Sequence, residues 1–221
     1  MSHADTAVII PAAGSGERLG FGIPKALVGV AGLTLIEHAV RNLAPLARLI
    51  VIAAPNGYED KFRALFPKDS VSVVTGGEVR SASVANAVKV IPGDIKYVLV
   101  HDAARAFAPT SLAESILALL VQGEKAVIPA LEVVDTIKVI DGNGYVIENP
   151  ERSNLRAIQT PQGFTREVLV AAHATGDDAT DDAALVSRNG VKVKVISGTP
   201  MAQKITTSHD LIWARELVGQ R

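Results

Sequence analysis

The chain has 221 residues, 22 Lys and Arg against 23 Asp and Glu, and no cysteine. Its length suits one domain whose core needs no staples, and the missing thiols exclude disulfides, iron–sulfur clusters and thiolate zinc sites. The net charge of −1 argues against a protein that coats nucleic acid, and no apolar run approaches the ~20 residues of a membrane span. Met1–Asp5 lacks the basic and apolar regions of a leader, so a cytoplasmic location is expected.

Strand-length apolar runs alternate with helical patterns along the chain. Ala7–Pro11 reads as a first strand running into a Gly-rich loop. Thr34 to about Ala47 reads as a helix, with Thr34 and Glu37 at capping-box spacing and Leu35, Ala39, Val40 and Leu43 on one face. Strand Leu49–Ala53, helix Tyr58–Leu65, strand Val71–Val74, helix Ser83–Val90, strand Tyr97–Val100, helix Thr110–Leu120 and strand Ala126–Ala130 follow. This βαβ alternation predicts an α/β fold with a doubly wound, mostly parallel sheet. It breaks after Leu131. There Thr136–Ile140 and Tyr145–Glu148 flank a Gly/Asn turn, Asp141-Gly142-Asn143-Gly144, and read as a hairpin. A lone two-stranded ribbon is marginal in water, so this protruding β-arm, at about 132–160, should pack on something, most simply a second subunit. Helices near Thr165–Ala174 and Asp181–Arg188 resume the pattern. Strand Val191–Val195 follows, with Lys192 and Lys194 on its solvated face, and then helix Ser208–Val218 with Trp213 packed inward. The whole chain, 1–221, reads as a single domain.

Ligands of open parallel sheets bind beyond the carboxyl ends of the strands. Glycines, arginines and carboxylates collect there: Gly14 to Gly20 after the first strand, Gly76-Gly77-Glu78-Val79-Arg80 after the third, and His101-Asp102-Ala103-Ala104-Arg105 after the fourth. A polyphosphate with a metal ion needs such a set. The spacing Gly14-x-Gly16-x-x-x-Gly20 also resembles a dinucleotide fingerprint. A dehydrogenase, however, wants a ribose-binding acid after the second strand, and Ala53-Ala54-Pro55 offers none. No Gly-Lys-Ser/Thr of a Walker loop occurs either. The histidines show no ligand spacing: His38 is expected at a helix surface, and His101 is expected to support Asp102 by hydrogen bonding. The acids from Asp177 to Asp182 are read as a loop and helix cap.

Pro11-Ala12-Ala13-Gly14-Ser15-Gly16-Glu17-Arg18 with Pro24-Lys25 resembles the signature of sugar-nucleotide-type nucleotidyltransferases. Further blocks are similar to the 2-C-methyl-D-erythritol 4-phosphate cytidylyltransferase family. These are Gly76 to Val84, Val100 to Arg105, Asp135-Thr136-Ile137-Lys138, Gln159 to Phe164, Thr180-Asp181-Asp182 and Lys204-Ile205-Thr206, in the family order from about Val8 to Asp210. Ala26-Leu27-Val28 is smaller and more apolar than the family pattern, which implies adjusted packing under the loop. The length leaves no room for the cyclodiphosphate synthase domain fused in some relatives.

The resemblance implies a Rossmann-like nucleotidyltransferase. It would join CTP to methylerythritol phosphate with Mg²⁺, release pyrophosphate, and form a homodimer through the β-arm. Neither nucleic acid nor membrane is an expected partner. The resemblance gives Gly14, Ser15 and Gly16 to the triphosphate, and makes Arg18, Lys25 and Lys204 the catalytic cations. Ala12, Ala13, Gly77, Arg80 and Ser83 would read the cytosine, with Ala103 beside them in the CTP site. Asp102 would contact CTP and hold Mg²⁺. Arg105, Thr136, Arg152, Thr160 and Thr180 would bind the polyol phosphate together with Lys204, and Thr136 and Arg152 would reach into the partner's site. Two readings stay open in the residues themselves: Ser83 as a helix N-cap, and Asp102 as a cap on the turn after it. Three other functions compete. They are the same transfer to ribitol 5-phosphate, a dehydrogenase, and a nucleotide-binding regulatory module that binds CTP without releasing pyrophosphate.

Overall fold

The structure, a computed structural model, describes residues 3–14, 22–67 and 69–219. In chain order the elements are β1 (Thr6–Pro11), a ribbon of β2 (Gly29–Val30) and β3 (Leu33–Thr34), α1 (Leu35–Leu43), β4 (Leu49–Ala54), α2 (Glu59–Leu65), β5 (Val71–Thr75) and α3 (Arg80–Val88). They continue with β6 (Tyr97–Val100), α4 (Thr110–Val121), β7 (Ala126–Glu132), β8 (Val139–Ile140), β9 (Val146–Glu148), β10 (Arg156–Ile158), β11 (Gln162–Thr165), α5 (Arg166–His173), α6 (Asp182–Arg188), β12 (Lys194–Ser197) and α7 (Ser208–Gly219). An eight-stranded sheet runs β10-β7-β11-β6-β1-β4-β5, with β12 also pairing β7. β1 lies parallel between β4 and β6, and β5 extends β4 in parallel.

Both sheet faces are covered, which is why β1 reads as a continuous apolar run. Val8 and Ile10 point into one core with Ile36, Leu43, Phe62, Ile116 and Leu117. Ala7 and Ile9 point into the other with Val84, Ala87, Phe164, Leu169 and Val186. A third cluster joins α7 to Val28, Val30 and Phe107, with Trp213 packed against it. Val28 is buried in this third cluster and Ala26 in the first.

The α/β architecture with a mostly parallel sheet is as expected, and five local points differ from the sequence reading. The Thr34–Ala47 helix is shorter. The capping box forms, with Thr34 Oγ1 accepting from Glu37 N–H and the Glu37 carboxylate accepting from Thr34 N–H. The α-helix ends at Leu43, however, and continues as a 3-10 turn containing Pro45, because proline cannot sit in a helix interior. α3 starts at Arg80 rather than Ser83. The strand expected at Val191–Val195 pairs only from Lys194 to Ser197. β10 and β11, which carry no aliphatic run, were not anticipated. β11 is antiparallel to both neighbours, and it packs so tightly under α4 that a Cβ on Gly163 would stand 2.2 Å from Ile116 Cγ2. His38, expected at the surface, is half-buried. Its Nε2 donates to the Val30 carbonyl at 2.9 Å, and its ring lies 4.9 Å from Phe107. No helix among the described residues is long and apolar enough to cross a membrane.

Candidate active site

The parallel strands end on one edge, and a cavity of about 380 Å³ opens there. Its floor is Pro11 to Gly14 from the end of β1, one wall is Gly77 to Arg80 and Ser83, and the other is Asp102 to Ala104. Lys25, Lys204 and Thr206 close it. Segments far apart in sequence therefore meet because each follows a strand, as the topology requires.

Close approach dictates the glycines. A Cβ on Gly77 would lie 2.4 Å from Ala82 Cβ, and one on Gly76 would lie 2.7 Å from Ala13 Cβ. Only bare backbone lets this turn press against both the β1 loop and α3. Ser83 holds the turn in place: its Oγ accepts from Gly77 N–H at 3.0 Å and donates to the Val79 carbonyl at 3.1 Å. Ser83 lies inside α3, whose N-cap is Val79, so the N-cap reading of Ser83 is wrong.

Asp102 is the electrostatic centre of the cavity. Its Oδ1 accepts from Arg80 Nε at 3.0 Å and its Oδ2 from Lys204 Nζ at 2.8 Å. Burial opposes the charge, but Arg80 and then Lys204 outweigh it and hold the carboxyl well below the usual carboxylate range. The side chain makes no cap bond to the turn Ala103–Arg105, so the capping reading fails there too. Arg80 is likewise disfavoured by burial and kept charged by Asp182 first and Asp102 second, which raise its pKa. Its Nη1 donates to Asp182 Oδ2 at 2.8 Å.

His101 and Thr160 lie beneath the site. Asp102 N–H donates to Thr160 Oγ1 at 3.0 Å, and that hydroxyl meets His101 Nδ1 at 3.0 Å. Burial, despite the nearby Asp102, lowers the His101 pKa to about 4. The ring is therefore neutral near pH 7 and shares a hydrogen bond with the Thr160 hydroxyl. His101 thus supports Asp102 through Thr160, not directly. Thr160 is 4% exposed and both functions of its hydroxyl are engaged, so it braces the site from below rather than facing a substrate.

The other anticipated residues divide into three groups. Ala12, Ala13, Gly14, Lys25, Gly77, Arg80, Ser83, Asp102, Ala103 and Lys204 line the cavity. Ser15, Gly16 and Arg18 lie outside the described residues. Arg105, Thr136, Arg152 and Thr180 do not line it. Arg105 donates to the carbonyls of Ala202 and Ile158, and burial lowers its pKa. Thr136 and Arg152 are exposed on the arm, where Arg152 Nη1 donates to the Val134 carbonyl.

Asp182 and Gln162 are functional neighbours that the sequence reading missed. Asp181 caps α6 as expected, accepting from Ala184 N–H. Asp182, read as a second capping acid, is instead 1% exposed and paired with Arg80. A signal was available: Asp182, Leu185 and Val186 fall at i, i+3 and i+4, so the acid shares the buried face, where a charge demands a partner. Gln162, 1% exposed, ties β11 to the same helix start by accepting from Ala183 N–H and donating to Asp181.

The profile of the 2-C-methyl-D-erythritol 4-phosphate cytidylyltransferase family matches residues 6–220. The chain belongs to that family. The enzymes of that name from Rhodococcus opacus and Saccharopolyspora erythraea are 49% and 47% identical to it. Each alignment spans 96% of this chain, and 94% and 98% of theirs respectively. A crystal structure of the enzyme from Thermus thermophilus superposes with a TM-score of 0.80 at 35% identity, over 96% of this chain and 98% of that one. That of the 4-diphosphocytidyl-2C-methyl-D-erythritol synthase from Anaerococcus prevotii gives 0.85 at 29% identity, over 99% and 97%. A nucleotidyltransferase family accounts for a cavity where glycine backbone and cations gather around the buried acid Asp102.

Proposed function

We propose that this chain transfers CMP from CTP to 2-C-methyl-D-erythritol 4-phosphate, giving 4-diphosphocytidyl-2-C-methyl-D-erythritol and pyrophosphate for isoprenoid precursor synthesis. The reading rests on the family match across residues 6–220. A phosphate oxygen of the polyol attacks the α-phosphorus of CTP. The bond from that phosphorus to the bridging oxygen breaks, and pyrophosphate leaves with the electron pair. Both reactants are anionic and already ionised, so the chain must neutralise and align them rather than move protons.

Lys25 and Lys204, with Arg18, supply positive charge to the α-phosphate as it gains a fifth oxygen. Gly14, with Ser15 and Gly16, presents backbone N–H groups to the triphosphate. Ala12, Ala13, Gly77, Arg80, Ser83 and Ala103 form the base end, where small residues admit a flat ring against backbone. Asp102 fits a magnesium ion. Each of its oxygens has given one lone pair to a cation, and a carboxylate offers about four acceptor sites. No group of three or more acidic or histidine ligands occurs among the described residues, which suits an ion bound by one protein carboxylate and substrate phosphates. Such an ion would neutralise triphosphate charge. Asp102 would hold it, and Arg80 orients Asp102.

The polyol phosphate would be held by Arg105, Thr136, Arg152, Thr180 and Lys204, with Thr160 bracing Asp102 from below. Thr136 and Arg152 act from a partner subunit. The support is that the arm carrying them is apolar and open, with Val134 at 80%, Tyr145 at 73% and Ile147 at 64% exposure, as a surface awaiting a second copy would be. The protein is thus proposed to be a single-domain homodimer through the arm. The cytoplasm is the proposed location for a chain without cysteine. A phosphorus NMR time course with CTP, methylerythritol phosphate and Mg²⁺ tests the reaction. Paired diphosphodiester signals should grow in step with pyrophosphate, whereas nucleotide loss with the polyol phosphate untouched would overturn it.

A further inference from the structure

Among the buried polar side chains given no task above is His173, at the end of α5. Its side chain is 4% exposed, and its Nε2 donates to Asp182 Oδ1 at 3.0 Å. The other oxygen of Asp182 accepts from Arg80 Nη1 at 2.8 Å, and Arg80 Nε donates to Asp102 at 3.0 Å. A continuous chain of contacts therefore runs from α5 through α6 and α3 into the cavity. Arg80 Nη2, meanwhile, is buried without a partner.

That unspent donor gives His173 a purpose. A guanidinium and a carboxylate prefer two parallel hydrogen bonds, fork to fork. Asp182 holds Arg80 by one bond only: the His173 N–H on Oδ1 anchors the carboxylate, and Nη2 finds no second oxygen. Without that ring, both oxygens could take Nη1 and Nη2 together, and the guanidinium would turn toward α6 and away from Asp102. We infer that His173 is a positioning residue: by anchoring the Asp182 carboxylate through Oδ1 it keeps Asp182 to a single bond with Arg80, and so keeps Arg80 Nε on Asp102. The inference deepens the proposed function and rests on its assignment of Arg80 and Asp102 to CTP.

The test is CTP affinity by titration calorimetry with Mg²⁺, on the full chain, with melting curves as the folding control. His173→Leu removes the donor, His173→Phe removes it while keeping the ring's volume, and His173→Gln keeps an N–H close to the Nε2 position. The Leu and Phe variants should weaken CTP about tenfold, the scale of coupling between contacting residues, and Gln should stay within about twofold. In an Arg80→Lys background, where no fork exists to be gripped, the Leu and Phe changes should cost less than about twofold more. A merely packed histidine predicts otherwise: Gln as damaging as Leu, or the same loss in both backgrounds, and either result overturns the inference. So does unchanged affinity in the Leu or Phe variant. A wild-type chain that binds no CTP would overturn the proposed function, and this inference with it. Wild-type binding with a flat His173 series removes the inference alone.

Discussion

Lys25 and Asp102 face one cavity with opposite charges and opposite tasks. Lys25 follows Pro24 at the start of a short turn and lines the cavity. If its ammonium meets the α-phosphate most strongly at the five-coordinate stage, Lys25→Ala should lower kcat by about 10²–10³-fold, the usual cost of one transition-state donor. The Kd for CTP should move only a few-fold. Weak binding with unchanged turnover would contradict that role. His101 gives a second prediction at this scale. Its pKa falls from an ordinary 6.5 to about 4 on folding, so between these values the unfolded chain binds more protons than the folded one. Its contribution is complete above about pH 6.5 and is lost as pH falls toward 4. Urea unfolding at pH 7.5 and pH 5 should therefore differ by up to about 2 kcal/mol. His101→Asn, which keeps an acceptor for Thr160, should flatten that difference. Equal pH dependence in the two proteins would count against a buried neutral ring.

At the scale of elements, the catalytic edge was legible because β1, β5 and β6 are aliphatic runs that each end in a motif, and a parallel sheet brings such ends together. The strands that are not aliphatic were not legible. β11 has one large apolar residue, Phe164, and its place between β6 and β7 is fixed by the bare α-carbon of Gly163 under α4, a tertiary demand that no periodicity announces. The acids from Asp177 to Asp182 read alike as a loop and helix cap. Which of two adjacent acids turns inward depends on where α6 lands on the sheet. The Arg80 pairing, spanning 102 residues, likewise has no local signal. Gly163→Ala should destabilise by about 1–3 kcal/mol through overpacking, seen as a lower melting temperature. An unchanged melt would mean that α4 yields to the added methyl.

On the scale of the whole molecule, Thr136 and Arg152 lie on an exposed arm and do not line the cavity of their own chain. The proposed shared site would explain why. In mixed dimers of Arg152→Ala and Lys25→Ala chains, one site combines the intact cavity of the first with the intact arm of the second. Equal mixing after dissociation should restore about one quarter of the wild-type sites, since half the dimers are mixed and each regains one site. No recovery from any complementary pair would place Arg152 outside the partner's site. On the proposed reading, charge and glycine placement give the nucleotide its place, whereas the choice of acceptor rests on residues that only the dimer would assemble. Pyrophosphate release with CTP and Mg²⁺, compared between methylerythritol phosphate and ribitol 5-phosphate, tests that choice most directly. Rapid release with the first and almost none with the second is the predicted result; release with ribitol 5-phosphate alone would contradict the assignment of substrate.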